Sequence, residues 1–181
     1  VRFGQAARQL GLRIGEAGYW ENLLDPDPEA VAHRVAHIRL MLRKADLMQA
    51  GCVVTLVGSF DARAGALSPH PLNFGQEAQQ RFREIRLRIV DGLDLRHTRY
   101  AIEPWNNTFF QEPEAIHAFL DDLADRRVAL HLDQMNMVTP STYFHTTSLI
   151  NRTFDLLASH VASIHAKDIL WAPGYFFLKL D

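Results

Sequence analysis

Hydrophobic positions along the chain follow two alternating spacings. Short runs that are apolar at nearly every position are separated by longer segments in which an apolar residue returns every three or four positions. The short runs are typical of strands buried on both faces, and the longer segments are typical of helices with one buried side. The sequence therefore predicts strands alternating with helices, with strands near residues 12–17, 52–57, 99–103, 128–133 and 161–165.

For two of the helices, the sequence also predicts which residues are buried, and for one of them where the helix begins. Asp27 is a good N-cap, and Pro28 suits the first helical position of the segment that follows it. The apolar stripe of this helix is predicted to contain Val31, Val35, Ile38, Leu42 and Ala45. The apolar side of the last helix is predicted to contain Leu149, Ile150, Phe154 and Leu157.

Strands that alternate with helices indicate an α/β fold with a parallel sheet, either open or closed into a barrel. An open doubly wound sheet usually carries a glycine-rich phosphate loop after its first strand, and the sequence has no G-x-G-x-x-G or Walker pattern. No linker or change of composition divides the chain. We therefore expect one domain over residues 1–181 and favour the barrel.

Composition narrows the function classes. Of the 181 residues, 48% are hydrophobic and 22% are charged, with a net charge of −2 and no basic block, so a broad nucleic-acid footprint is disfavoured and only a local basic groove stays open. No apolar run approaches the ~20 residues of a membrane span. The single cysteine, Cys52, excludes an intrachain disulfide; we expect a buried thiol and a cytoplasmic location.

Three candidate metal ligands lie near the ends of separate predicted strands. They are Glu103, Asp133 and His165, spaced 30 and 32 residues apart, which is about one strand-plus-helix unit each. Taken one at a time, each has an ordinary structural explanation: Glu103 as a loop carboxylate, Asp133 as the cap of the following turn, and His165 as a histidine of the core. In a parallel barrel, however, active-site groups come from the carboxyl ends of successive strands, and two carboxylates with one imidazole suit a divalent cation.

The segments around these residues carry a resemblance. Ala101-Ile-Glu-Pro-Trp-Asn, His131-Leu-Asp-Gln-Met-Asn-Met and especially Ile164-His-Ala-Lys-Asp-Ile resemble the sugar phosphate isomerase/epimerase superfamily, the xylose isomerase-like TIM barrels, which also include endonuclease IV. The resemblance implies a partial (β/α)8 TIM barrel of about five consecutive parallel βα units, without the first two strands and the eighth. Because the chain begins and ends in mid-pattern, we expect a fragment of a longer protein.

The resemblance also implies roles for single residues. Glu103, Asp133 and His165 would bind a divalent cation (Mn, Mg, Co or Zn), and Glu103 would also be a catalytic acid/base. The family's fourth ligand, a glutamate on the eighth strand, has no counterpart here. Asn136 and Trp171 stand where epimerases often have histidine and arginine. The candidate substrate-binding residues are His70, Trp105, Asn106, Asn136, Lys167 and Asp168.

The function implied for the parent protein is a metal-dependent isomerase or epimerase, and this fragment alone is expected to be inactive. The enzyme would move a proton next to a carbonyl through an enediolate, on a small sugar, sugar phosphate or polyol, without a nucleic-acid or membrane partner. One alternative is an endonuclease IV-like, metal-dependent DNA-repair hydrolase, and another is a non-catalytic, incomplete scaffold. A homo-oligomer is left open.

Overall fold

The computed structural model of the chain describes residues 2–61, 63 and 65–170. Five strands form one sheet in which each strand pairs with the next along the chain, and every pairing is parallel. The predicted parallel, consecutive order is therefore confirmed. The strands are β1 (Glu16–Gly18), β2 (Cys52–Leu56), β3 (Arg99–Glu103), β4 (Val128–Asp133) and β5 (Val161–His165).

Helices connect the strands and cover the outer face of the sheet. The α-helices are α1 (Arg2–Gln9), α2 (Pro28–Met48), α3 (Gln76–Val90), α4 (Pro113–Leu123) and α5 (Thr146–Leu157). Single-turn 3₁₀ helices lie at Pro71–Phe74, Gln134–Met137, Tyr143–His145 and Ala158–His160. Among the described residues, no helix is both long enough and apolar enough to cross a membrane.

The first strand is shorter than the sequence predicts. Regular β1 geometry begins only at Glu16, although the carbonyls of Ile14 and Gly15 already accept hydrogen bonds from the N–H groups of Gly51 and Cys52, at 3.0 and 3.2 Å. The apolar pattern from residue 12 therefore marks where the chain approaches β2, and not where the strand itself begins.

Helix α2 matches its prediction. The Asp27 carboxylate accepts the backbone N–H of Glu29 at 2.9 Å, and Pro28 occupies the first turn. Each of these features satisfies or removes a backbone donor that a helix start leaves unpaired. The buried residues of the helix are the five predicted ones: Val31, Val35, Ile38, Leu42 and Ala45.

The buried side of α5 differs from its prediction. Leu149 and Leu157 are buried, but the third buried residue is Thr153, while Phe154 is 39% exposed. The Thr153 hydroxyl donates to the Leu149 carbonyl at 2.7 Å, so its polar group is satisfied within the helix. Ile150 and Phe154 instead line a groove beside β5.

The two faces of the sheet carry different side chains. Large residues such as Tyr100, Ile102 and Leu130 point outward into the main core beneath the helices. The inward face carries a separate cluster of small buried residues, and Cys52 is part of it as a free thiol, as predicted. With small side chains inside, the sheet can curl: Glu16 of β1 lies 2.9 Å from His165 of β5, although three strands separate them in the sheet order. The fold is therefore a curled half-barrel.

Asp46, near the end of α2, holds the loop that leads into β3. Its Oδ1 atom accepts the backbone N–H groups of Arg96, His97 and Thr98, at 2.9, 2.7 and 3.0 Å. Burial alone would raise the pKa of the Asp46 carboxyl, but the three backbone hydrogen bonds outweigh it and hold the pKa below its usual value. The contact is thus strongest when the carboxyl is ionised.

Asp46→Ala is expected to lower the free energy of unfolding by about 1–2 kcal/mol at pH 7, because three backbone donors lose a charged acceptor. A depressed pKa contributes stability that is fully present above the unfolded value near ~4 and is lost as pH falls through the lower folded pKa. The difference between wild type and variant should therefore shrink below about pH 4 in urea titrations. Asp94→Ala, at a side chain 83% exposed, is the control. A difference that does not change with pH would contradict this role.

Candidate metal centre

The three predicted ligands occupy the last positions of three neighbouring strands. Glu103 ends β3, Asp133 ends β4 and His165 ends β5. Because parallel strands end at the same edge of the sheet, their terminal side chains share one mouth. One ligand atom from each of these residues lies within 4.8 Å of the other two. The structure therefore brings the three groups together.

Polar atoms without partners are concentrated here. Among the described residues, four buried side-chain nitrogen or oxygen atoms lack a hydrogen-bond partner, and three of them are His131 Nε2, Asp133 Oδ1 and His165 Nδ1. Such an atom costs about 1–3 kcal/mol when nothing satisfies it. The Asp133 oxygen and the His165 nitrogen belong to the candidate ligand set, and both can offer a lone pair. The residues present therefore fit a bound cation.

Both oxygens of Glu103 are held in place. The Asn136 amide donates to Oε1 at 2.8 Å, and the Trp20 indole N–H donates to Oε2 at 2.5 Å. The side chain is 4% exposed, and burial raises its pKa; the hydrogen bond from Trp20 lowers the pKa in part, and the nearby Asp133 raises it. A carboxylate with a raised pKa accepts a proton more readily than a solvated one.

A cavity of about 400 Å³ opens beside these groups. Three predicted substrate-binding residues line it with Glu103 and His165: Trp105, Asn136 and Lys167. The Lys167 ammonium also bonds Asp133 Oδ2, so the second carboxylate oxygen is the one left unpaired. The cavity thus combines an aromatic wall with an ammonium group and an amide.

The other predicted substrate-binding residues are not part of this cavity lining. His70 caps the Pro71–Phe74 turn, where its Nδ1 accepts the backbone N–H of Leu72 at 3.3 Å. Asp168 is exposed, and its carboxylate accepts the N–H of Ile169 at 2.8 Å. Asn106 is half-buried in the loop after β3 and does not line the cavity. Trp171 lies outside the described residues.

Sequence reasoning missed three residues of the site: Glu16, Trp20 and His131. Trp20 follows the first strand, so the same strand-end argument would have found it. Gly18 gives it room, because a Cβ atom at Gly18 would lie 2.0 Å from the indole ring. Glu16 and His131 lie within strands. The alternation of side chains puts His131 on the same face as Asp133, and the curl of the sheet brings Glu16 close to it.

Comparison with known proteins identifies the family. A family model for the xylose isomerase-like TIM barrel matches residues 1–176. The chain belongs to this family. Among curated proteins, none matches the sequence.

Solved structures with the same xylose isomerase-like fold come from several enzymes. A putative xylose isomerase from Rhodospirillum rubrum is 17% identical, with a TM-score of 0.66; the match covers 90% of this chain and 57% of the isomerase. Endonuclease IV from Thermus thermophilus is 18% identical, with a TM-score of 0.64; the match covers 91% of this chain and 57% of the endonuclease. D-psicose 3-epimerase from Clostridium cellulolyticum, solved with D-tagatose, is 14% identical, with a TM-score of 0.60; the match covers 86% of this chain and 54% of the epimerase. The chain thus spans little more than half the length of each, and the likeness shows the fold alone.

Proposed function

We propose that this protein is a metal-dependent isomerase or epimerase of a small sugar, sugar phosphate or polyol. The observation that carries the proposal is Glu103, a buried carboxyl with a raised pKa, which has a ligand atom within 4.8 Å of Asp133 and of His165. Each of these two neighbours has an unpaired side-chain atom. A proton acceptor next to a cation site is what proton transfer beside a carbonyl requires.

The cation would be held by Glu103, Asp133 and His165. Two carboxylates and one imidazole suit Mn²⁺, Mg²⁺, Co²⁺ or Zn²⁺. When bound, such a cation supplies a Lewis acid that stabilises the negative charge of an enediolate. Of the two Asp133 oxygens, Oδ2 already accepts a hydrogen bond from the ammonium of Lys167, whereas Oδ1 has no partner. Oδ1 is therefore the oxygen available for the cation.

Glu103 would take the proton from the carbon next to the carbonyl. In an isomerisation it would deliver that proton to the former carbonyl carbon, while the hydroxyl proton passes from one oxygen of the enediolate to the other. Asn136 and Trp20 donate to the two Glu103 oxygens and so fix the plane of the carboxylate toward the cavity. This orientation holds the proton acceptor in one geometry while the substrate changes. Lys167 can bind a hydroxyl or phosphate oxygen, and the Trp105 ring can pack against the C–H face of a sugar.

Metal-dependent exchange tests this function. The protein is stripped with a chelator and incubated in D₂O with a panel of ketoses, aldoses and their phosphates, with and without Mn²⁺, Mg²⁺, Co²⁺ or Zn²⁺. Deuterium uptake at the carbon next to the carbonyl, followed by NMR, is expected only with a cation. His165→Ala should require a higher cation concentration, and excess cation should restore part of the exchange, because its defect is in metal affinity.

The fold neighbours include endonuclease IV, so the same preparations are also tested for nicking of double-stranded DNA that contains abasic sites. Exchange without DNA nicking supports the isomerase or epimerase. Nicking without exchange on any substrate of the panel would replace it with the hydrolase alternative.

A further inference from the structure

One carboxylate deep in the half-barrel contacts two histidines. Glu16 is the first residue of β1, and each of its oxygens faces a different imidazole. Oε1 lies 2.9 Å from His165 Nε2, and Oε2 lies 3.0 Å from His131 Nδ1. The two rings are perpendicular, with centroids 4.2 Å apart. Glu16 therefore bridges the candidate ligand His165 and a fully buried histidine beneath it.

The contact with Glu16 determines where the His165 ring carries its proton. An ionised carboxylate only accepts hydrogen bonds, and a neutral imidazole has one N–H and one lone pair. His165 must be neutral to bind a cation. Its proton is then on Nε2, facing Glu16. The lone pair of His165 is therefore left on Nδ1, which has no hydrogen-bond partner. The Nδ1 atom of His131 faces both Glu16 Oε2 and the Ser163 hydroxyl, at 3.0 and 2.6 Å, so it can either donate to the carboxylate or accept from the hydroxyl.

We propose that Glu16 is a positioning residue of the metal centre. It holds His165 in the Nε2–H tautomer, so that the Nδ1 lone pair is available on the side of Asp133, whose Oδ2 lies 3.5 Å from it. A carboxylate behind a metal-binding imidazole fixes the ring orientation and makes the ligand more basic. This inference rests on the cation site of the proposed function and adds a strand, β1, that contributes no direct ligand.

Glu16 is also close enough to be a ligand itself. One atom each of Glu16, His131 and His165 lies within 4.8 Å of the others. That arrangement would use His165 Nε2 for the cation and would place an N–H on Nδ1. The Glu16 oxygen that bound the cation would then lose its imidazole donor, and Asp133 Oδ1 would stay unsatisfied. The hydrogen-bonded role instead leaves both Asp133 Oδ1 and His165 Nδ1 available for the cation.

Cation binding to the metal-free protein, measured by isothermal titration with Mn²⁺ and Co²⁺, tests the proposal. Glu16→Gln keeps the side-chain shape but replaces one of the two acceptor oxygens with a donor. It is expected to weaken cation binding by about 10–100-fold. Glu21→Gln, at an exposed carboxylate nearby, is the matched control and should bind as wild type does. The unfolding midpoint of each metal-free variant shows whether the fold is intact.

The tautomer itself is a second readout that does not need the cation. Nitrogen-15 NMR of the imidazole rings, with the His165 signals assigned by their loss in His165→Gln, is expected to show the Nε2–H form in wild type. Glu16→Gln should lose this preference. Equal affinity and an unchanged tautomer in Glu16→Gln would overturn the proposal.

Other outcomes separate the proposal from the function on which it rests. If wild type binds no cation, the proposed function fails, while the tautomer experiment still decides whether Glu16 orients His165. If Glu16→Gln and His131→Gln abolish binding completely while Glu103→Gln leaves it unchanged, Glu16 is a ligand, and the positioning role is wrong.

Discussion

Glu103→Gln is expected to lower turnover by about 10²–10⁴-fold while weakening cation binding much less. The amide keeps an oxygen that can face the cation, but it cannot accept a proton, and the loss of a general base costs about this factor. Trp20 can still donate to the amide oxygen, and the Asn136 amide must turn its own oxygen toward the new NH2 group. The measurement is kcat for deuterium exchange alongside the cation Kd from titration.

The contrast with His165→Ala makes this result specific. There the loss should appear in cation affinity and be partly reversed by excess cation, whereas excess cation should not rescue Glu103→Gln. Glu112→Gln, at an exposed carboxylate just before α4, is the control for a neutralised charge. Equal, unrescued losses in Glu103→Gln and His165→Ala would show that the two residues do not have separate roles.

Phe82→Ala is expected to lower the free energy of unfolding by about 3–5 kcal/mol, as measured by urea denaturation. Phe82 is fully buried on α3, and its ring lies 6.4 Å from that of Phe109 and 6.1 Å from that of Phe119. Truncation removes apolar contacts from both rings and leaves a cavity that rigid neighbours cannot fill.

Phe74→Ala is the matched control for this core substitution. Its side chain is 45% exposed, so the same chemical change removes much less buried surface, and we expect a loss below about 1 kcal/mol. A loss at Phe82 no larger than at Phe74 would mean that the aromatic cluster is not a main source of stability.

The elements predicted well from the sequence are those that local signals specify. Asp27 and Pro28 define the start of α2 because capping depends on neighbours in the chain, and the apolar stripe of that helix follows from its period. Glu103 and His165 could be grouped because consecutive parallel strands end at one edge. For those two, sequence position and spatial position are linked by a simple rule.

The features that the sequence did not predict depend on packing between distant segments. Thr153 is buried in place of Phe154 because its hydroxyl finds an acceptor one turn back, which the apolar period does not reveal. Glu16 reaches His165 only because the sheet curls, and the curl depends on the size of inward side chains across several strands. A residue pattern within one strand carries no information about that contact.

The contact between Glu16 and His165 has a consequence for folding kinetics, since it joins residues 149 positions apart in the chain. Contacts of such long separation form late, after the strands between them have stacked in order. We therefore expect the candidate metal centre to be completed late in folding. A cation at the proposed site would stabilise only the assembled half-barrel, so we expect its binding to slow unfolding and to leave the folding rate nearly unchanged.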